Sequence, residues 1–150
     1  MRSVEERRAS LLEWAETLKS GEYKQIVGVL AHRKHESEYD PKAGCCIDIA
    51  CIVENPELED DFRVFEKGKD YDSPANEIYK WFNEFYGFGY NKQRTLTSMF
   101  ISMNDYLGFN FFQIARFVRS RIEQLLDEDE FEKLFDEISD IAVKLGRFKR

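Results

Sequence analysis

The sequence predicts an α+β fold: a predominantly helical single domain with a small antiparallel β-sheet. Three observations carry this. Apolar residues recur at helical spacing in several long segments that open on capping residues. Two stretches, near residues 23–31 and 62–71, instead carry β-branched or aromatic residues around a glycine, the pattern of strands and hairpins. The third is size: 150 residues, 43% hydrophobic and 34% charged, hold one core and leave little for a second. No linker or repeat interrupts them, so residues 1–150 read as one globular domain.

The first helix spans residues 3–19. Ser3 and Glu6 form an S-x-x-E capping box, Leu11, Trp14, Ala15 and Leu18 share one face, and Gly21 ends it. Tyr23 to Ala31 reads as a strand with Gly28 at a bulge. His32 to Gly44 is a polar loop. Cys45 to Val53 is apolar all round; periodicity leaves strand or buried helix open, and its Cys, Ala and Asp48 incline toward helix. Glu54 to Asp61 reads as an acidic loop holding Pro56. Phe62 to Phe65 and a partner near Tyr71 flank Lys67-Gly68-Lys69 as a hairpin.

Ser73-Pro74 opens a helix whose buried stripe is Ile78, Trp81, Phe82 and Phe85, ended by Gly87 and Gly89. Thr95 to Asn104 forms a short helix stopped near Leu107-Gly108. Asn110 with Gln113 caps a helix through Leu126 that turns Ile114, Phe117, Val118 and Ile122 inward. The acids Asp127 to Glu130 start a last helix, about 128–145, on the positive end of its dipole. Its stripe is Phe131, Leu134, Phe135, Ile138, Ile141 and Leu145.

Composition narrows the function. A net charge of −7 opposes binding to duplex DNA. No apolar run approaches the ~18 residues of a membrane span, and the polar stretch Met1–Arg8 lacks a signal-peptide core, so the expectation is a soluble, unexported chain. Three cysteines make no disulfide framework and suit a reducing cytosol. The 13 Phe and 7 Tyr read first as core, since aromatics supply large buried areas in a small domain, with any surplus marking a partner surface, a ligand pocket or a homo-oligomer interface.

Four constellations could carry chemistry. His32, His35, Cys45, Cys46 and Cys51 offer zinc-type ligands, but an HxxH followed by a CC pair matches no zinc module, and the expectation is no metal and no cofactor. Cys45 or Cys46, at a helix start after Gly44, could be a nucleophile with His32 or His35 as base. Tyr23, Lys24 and Gln25, with Arg33 in the basic run 32–35, suit a phosphate-bearing small molecule. Asn104 to Gly108 reads first as a structural turn.

Three blocks in order carry a resemblance. Trp14…Leu18-Lys19-Ser20-Gly21-Glu22-Tyr23-Lys24-Gln25 is similar to a "W…AL-x-SG-x-Y-x-Q" pattern, and Cys45-Cys46-Ile47-Asp48-Ile49-Ala50-Cys51 to a CCLGVLC motif. Met103-Asn104-Asp105…Gly108-Phe109-Asn110-Phe111…Ile114-Ala115 is similar to "LND-x-x-G-x-SF-x-x-IA". Together they resemble a family of small proteins encoded by tailed bacteriophages, over about residues 10–120, with Trp81 where that family tends to carry a tryptophan. Two positions depart: Asp48 replaces the family's glycine and Asn110 its serine.

The resemblance implies a phage protein acting in the host bacterial cytoplasm, and it brings no established reaction. The expected function is a non-enzymatic, anti-defence accessory protein that neutralises a host factor, most concretely a sponge for a nucleotide-type immune signal. Tyr23, Lys24, Gln25 and Arg33 would contact phosphate and ribose, Trp81 would stack, and Cys45 and Cys46 would floor the pocket. Two alternatives are a cysteine-dependent enzyme acting on such a signal and an inhibitor that binds a host defence protein directly.

Overall fold

Ser3 accepts the Glu6 N–H, and Glu6 in return accepts the Ser3 N–H, closing the capping box that starts α1 (Val4–Lys19). The structure, a computed structural model, describes residues 2–65, 73–89 and 94–146. Leu11, Trp14, Ala15 and Leu18 face inward from α1 as their spacing requires, joined by Arg7, whose guanidinium lies over the Phe88 ring.

The predicted strand over 23–31 shrinks to β1 (Lys24–Gln25). It pairs with β2 (Ala43–Gly44) in parallel, not antiparallel, with Lys24 opposite Ala43 and Gln25 opposite Gly44. The reason is the connection: residues 26–42 form a long irregular excursion, and parallel neighbours need a long connection where a hairpin needs a tight turn. Val27 and Val29 are 59% and 48% exposed, so the β-branched run buries no sheet face. Gly28 takes a positive φ of 92°, in the left-handed region that glycine tolerates.

Cys45 caps α2 (Cys46–Glu54), a helix buried through Cys51 because it is apolar on every side there. The acidic stretch after it is not a loop. Asn55 accepts the Leu58 N–H, Pro56 takes the first helical position, and α3 (Pro56–Val64) follows with Glu57 and Glu59 in its first turn. Phe62 to Val64 are therefore helical rather than the arm of a hairpin, whose remaining residues, 67–71, lie outside the described residues.

Helix α4 (Ser73–Tyr86) buries Ile78, Phe82 and Tyr86 completely, while Trp81 and Phe85 are half-buried. Thr95 caps α5 (Leu96–Ile101), which loosens into a π-helical turn over Ser102–Tyr106. The Asn110–Gln113 capping box opens α6 (Phe111–Ser120), but the chain breaks at Arg121 and resumes as α7 (Ile122–Leu126) instead of running unbroken to Leu126. Asp127 caps α8 (Glu128–Lys144). Its inner stripe is Phe131, Leu134, Ile138 and Ala142; Ile141 and Leu145, expected inside, are 41% and 58% exposed.

Trp14 occupies the middle of the core, edge-on to Phe82 at 5.3 Å and to Phe100 at 4.9 Å. Helices α2, α4 and α5 close round it, and α6 packs along α1. Among the described residues no helix is long and apolar enough to cross a membrane.

Candidate functional site

The three blocks singled out in the sequence meet in space. Gln25 donates its amide hydrogens to Asn104 Oδ1 and to the Phe109 carbonyl, both at 2.8 Å. Asn104 Oδ1 also accepts the Cys46 N–H, and its Nδ2 donates to the Ile26 carbonyl at 2.9 Å and to Asp105 Oδ1 at 2.7 Å. Asp105 Oδ1 in turn accepts the Gly28 N–H, and Trp14 donates its indole N–H to the Cys46 carbonyl at 2.9 Å. The π-helical turn is what aims Asn104 inward, 1% exposed, where one residue answers four partners. Gln25 thus spends both amide hydrogens on the fold, where the sequence analysis expected them to face a ligand.

The cysteines sit behind that junction. Cys45 is 3% exposed and Cys46 and Cys51 are fully buried, all three as free thiols. Burial pushes each thiol well above its ordinary value, and the carboxylates of Asp48, Asp105 and Glu59 push the same way on one or more of them. That environment stabilises the neutral thiol and opposes a nucleophilic thiolate, despite the helix start. Nor do the histidines join them: His32 pairs through Nδ1 with Glu36 at 2.9 Å, and His35 is exposed. Expected labelling by iodoacetamide at neutral pH is none in the native protein and three per chain in denaturant; rapid native labelling of Cys45 or Cys46 would restore the nucleophile.

Asp48 does not stand free in the core. Its Oδ2 accepts from Arg63 Nη2 at 2.9 Å, and the same guanidinium reaches Glu59 through Nε. Arg63 also donates to the carbonyls of His32, Asp40 and Ala43 at 2.8, 3.1 and 2.8 Å, while its own carbonyl accepts the Lys34 N–H. One buried arginine therefore pins both ends of the 32–44 loop. Burial and the neighbouring Glu59 raise the Asp48 carboxyl well above the ordinary carboxylate range, against the opposing pull of Arg63. A Cβ at Gly44 would collide with this carboxylate, so the glycine is what lets Asp48 fit.

The proposed phosphate and stacking residues do not share a surface. Tyr23, Lys24 and Gln25 belong to the β1 region and the junction, and Tyr23 packs against the core. Arg33 lies over the rings of Phe62 and Phe65, at 4.6 and 5.2 Å. Trp81 stacks on Phe85 at 5.2 Å and packs against Phe82 and Tyr86. These are three separate neighbourhoods.

A different place gathers the same chemistry. Between the end of α1 and the outer face of α6 lies an open hollow of about 380 Å³, lined by Lys19, Phe112, Ala115, Arg116, Arg119 and Ser120. Phe112, 55% exposed, is the aromatic residue of that lining. Arg119 reaches Glu16 at 3.4 Å, and among the described residues Lys19 and Arg116 have no ion-pair partner. Compared with protein-family models, curated proteins and solved structures, the chain matches none.

The hollow therefore has to be read from its own chemistry. It offers an aromatic face and three cations on a protein whose net charge is −7. Those groups suit an anion that carries a flat or apolar group. The spacing 112, 116, 119 on one helix face was a signal open to sequence reading.

Proposed function

We propose that this chain is a non-catalytic accessory protein that sequesters a small anionic ligand of nucleotide type, seated over Phe112. The single observation behind the reading is the exposed Phe112 ring set among Lys19, Arg116 and Arg119. A base stacked on an aromatic ring gains about 1–3 kcal/mol, and guanidinium groups bind phosphate through charge-assisted hydrogen bonds. The buried thiols remove support from the cysteine-enzyme alternative. The likeness to tailed-phage proteins supports a setting in the host bacterial cytoplasm, with neutralisation of an immune signal as the outcome of sequestration.

Calorimetric titration with a cyclic dinucleotide and with ADP-ribose tests this. At least one of them is expected to bind the wild-type chain with defined stoichiometry. Phe112→Ala is expected to weaken that binding by about 5- to 150-fold, the equivalent of one lost stack, and Arg116→Glu by at least as much. Both substitutions are on the surface, so their melting curves should stay within about 0.5 kcal/mol of wild type. Binding that survives both variants, or no binding to either probe, overturns the site and shifts the reading to a host-protein partner.

A further inference from the structure

The loop that Arg63 pins carries a second constellation. A ring nitrogen of His32 and one carboxylate oxygen each from Glu36 and Glu38 all lie within 4.8 Å of one another. His32 Nδ1 and Glu36 Oε2 are hydrogen-bonded at 2.9 Å, so a small parting of the two would let both reach one tetrahedral ion. These three residues line a cavity of about 570 Å³ whose remaining wall includes Leu30, Phe62 and Tyr79.

We propose that His32, Glu36 and Glu38 bind one divalent first-row transition-metal ion, zinc by preference, with an open coordination position facing this cavity. The donor set argues for the metal class. One imidazole with two carboxylates suits zinc or manganese and is softer than the all-oxygen sets of calcium and magnesium. Three protein ligands beside a cavity are the arrangement that leaves a fourth position for a small ligand with an oxygen or nitrogen donor. The two carboxylates also balance the charge of the ion. On binding, the ion takes the place of the hydrogen bond between His32 and Glu36, with the neutral imidazole bound through Nδ1 and its single hydrogen on Nε2.

Preorganisation favours the same conclusion. His32 cannot drift, because its carbonyl is held by Arg63 and the Lys34 N–H is held by the Arg63 carbonyl. Glu36 is fixed from the other side, accepting the Arg33 N–H at 3.1 Å and donating its own backbone N–H to the Arg33 carbonyl at 2.9 Å. A buried group thus orients an exposed ligand set from behind, the role supporting residues take at metal centres. This inference is independent of the hollow over Phe112.

The test uses the full chain after dialysis against chelator. Zinc chloride titrated calorimetrically is expected to bind with one equivalent per chain. Loss of a direct ligand should cost at least the 10- to 100-fold typical of supporting residues, so His32→Ala and Glu38→Gln should each weaken binding about 100-fold, while His35→Ala leaves it unchanged. Manganese chloride serves as a paramagnetic probe, expected to broaden the amide signals of residues 29–38 and of Tyr79 in wild type and not in Glu36→Gln. Since His32, Glu36 and Glu38 lie at the surface or half-buried, circular dichroism should show each variant folded. Absence of zinc binding to the wild type, binding that survives His32→Ala, or broadening centred on the acidic run 127–130 overturns the proposal.

Discussion

Replacing Arg63 with methionine is expected to destabilise the protein by about 3–5 kcal/mol, the cost of breaking a buried ion pair from one side. The side chain is 3% exposed and serves two carboxylates and three carbonyls, so its loss leaves Glu59 without its charge partner and the His32 and Ala43 carbonyls without this donor, while Asp40 keeps the Ala43 N–H. Asp48→Asn should behave very differently. Burial and Glu59 push the Asp48 carboxyl toward its protonated form, which an asparagine mimics: its oxygen can accept from Arg63 and its nitrogen can donate toward Glu59. Urea unfolding at pH 8 should place Asp48→Asn within about 1 kcal/mol of wild type.

The sign of the pH dependence follows from the same carboxyl. Above the unfolded value of about 4, the unfolded chain has released the proton that native Asp48 still holds. The native state binds more protons, so this group's contribution falls as pH rises from about 5 toward its folded pKa. Wild type should lose stability through this site as pH rises above about 5, and Asp48→Asn should flatten that slope. If Asp48→Asn is instead as damaging as Arg63→Met, the carboxyl is ionised and the ion pair itself holds the loop.

What the sequence made legible was local. Ser3 with Glu6, Asn110 with Gln113, and Asp127 each declare a helix start through contacts three residues away, and each start was read correctly. The Asn55-Pro56 start of α3 carried the same kind of signal but was overridden by its acidic composition. Glu59, in the expected acidic loop, and Arg63, in the expected hairpin arm, gave no sign of pairing, because their roles depend on Asp48 and on carbonyls 20 to 31 residues from Arg63. Sheet direction was illegible for a similar reason: two-residue strands have no hydrophobic alternation to fix partner or sense.

The candidate site was legible in its chemistry but not in its address. An aromatic group with basic residues was the right kind of pattern to seek for an anionic ligand, yet Gln25 and Trp81 turned out to be committed to packing. Sequence reading favoured residues flanking motifs, and motifs here mark the junction that holds the fold together. The α6 face was overlooked because a phenylalanine next to a cap is usually counted as core, and only its exposure shows otherwise.

Asn104→Ala is expected to cost about 3 kcal/mol, large for a side chain that contributes no hydrophobic area. The loss strands the buried Cys46 N–H, and leaves the half-buried Ile26 carbonyl and one Gln25 donor unpaired; each buried group left unpaired costs about 1–3 kcal/mol before relaxation. Gln25→Ala alone should cost less, about 1–2 kcal/mol, because Asn104 keeps its other three bonds. The double variant distinguishes a shared junction from two separate contributions. Measured by urea unfolding, its loss should fall short of the sum of the single losses by at least about 0.5 kcal/mol, since the Gln25–Asn104 bond can be removed only once. Strict additivity, or a Gln25→Ala variant as stable as wild type, would mean that β1 and the π-helical turn are held together by the packing of Trp14 and Phe100 alone. Gln25 would then be available to a ligand after all. Coupling would instead mean that the three motif blocks are kept together by one amide, whose inward aim depends on the π-helical turn beneath it.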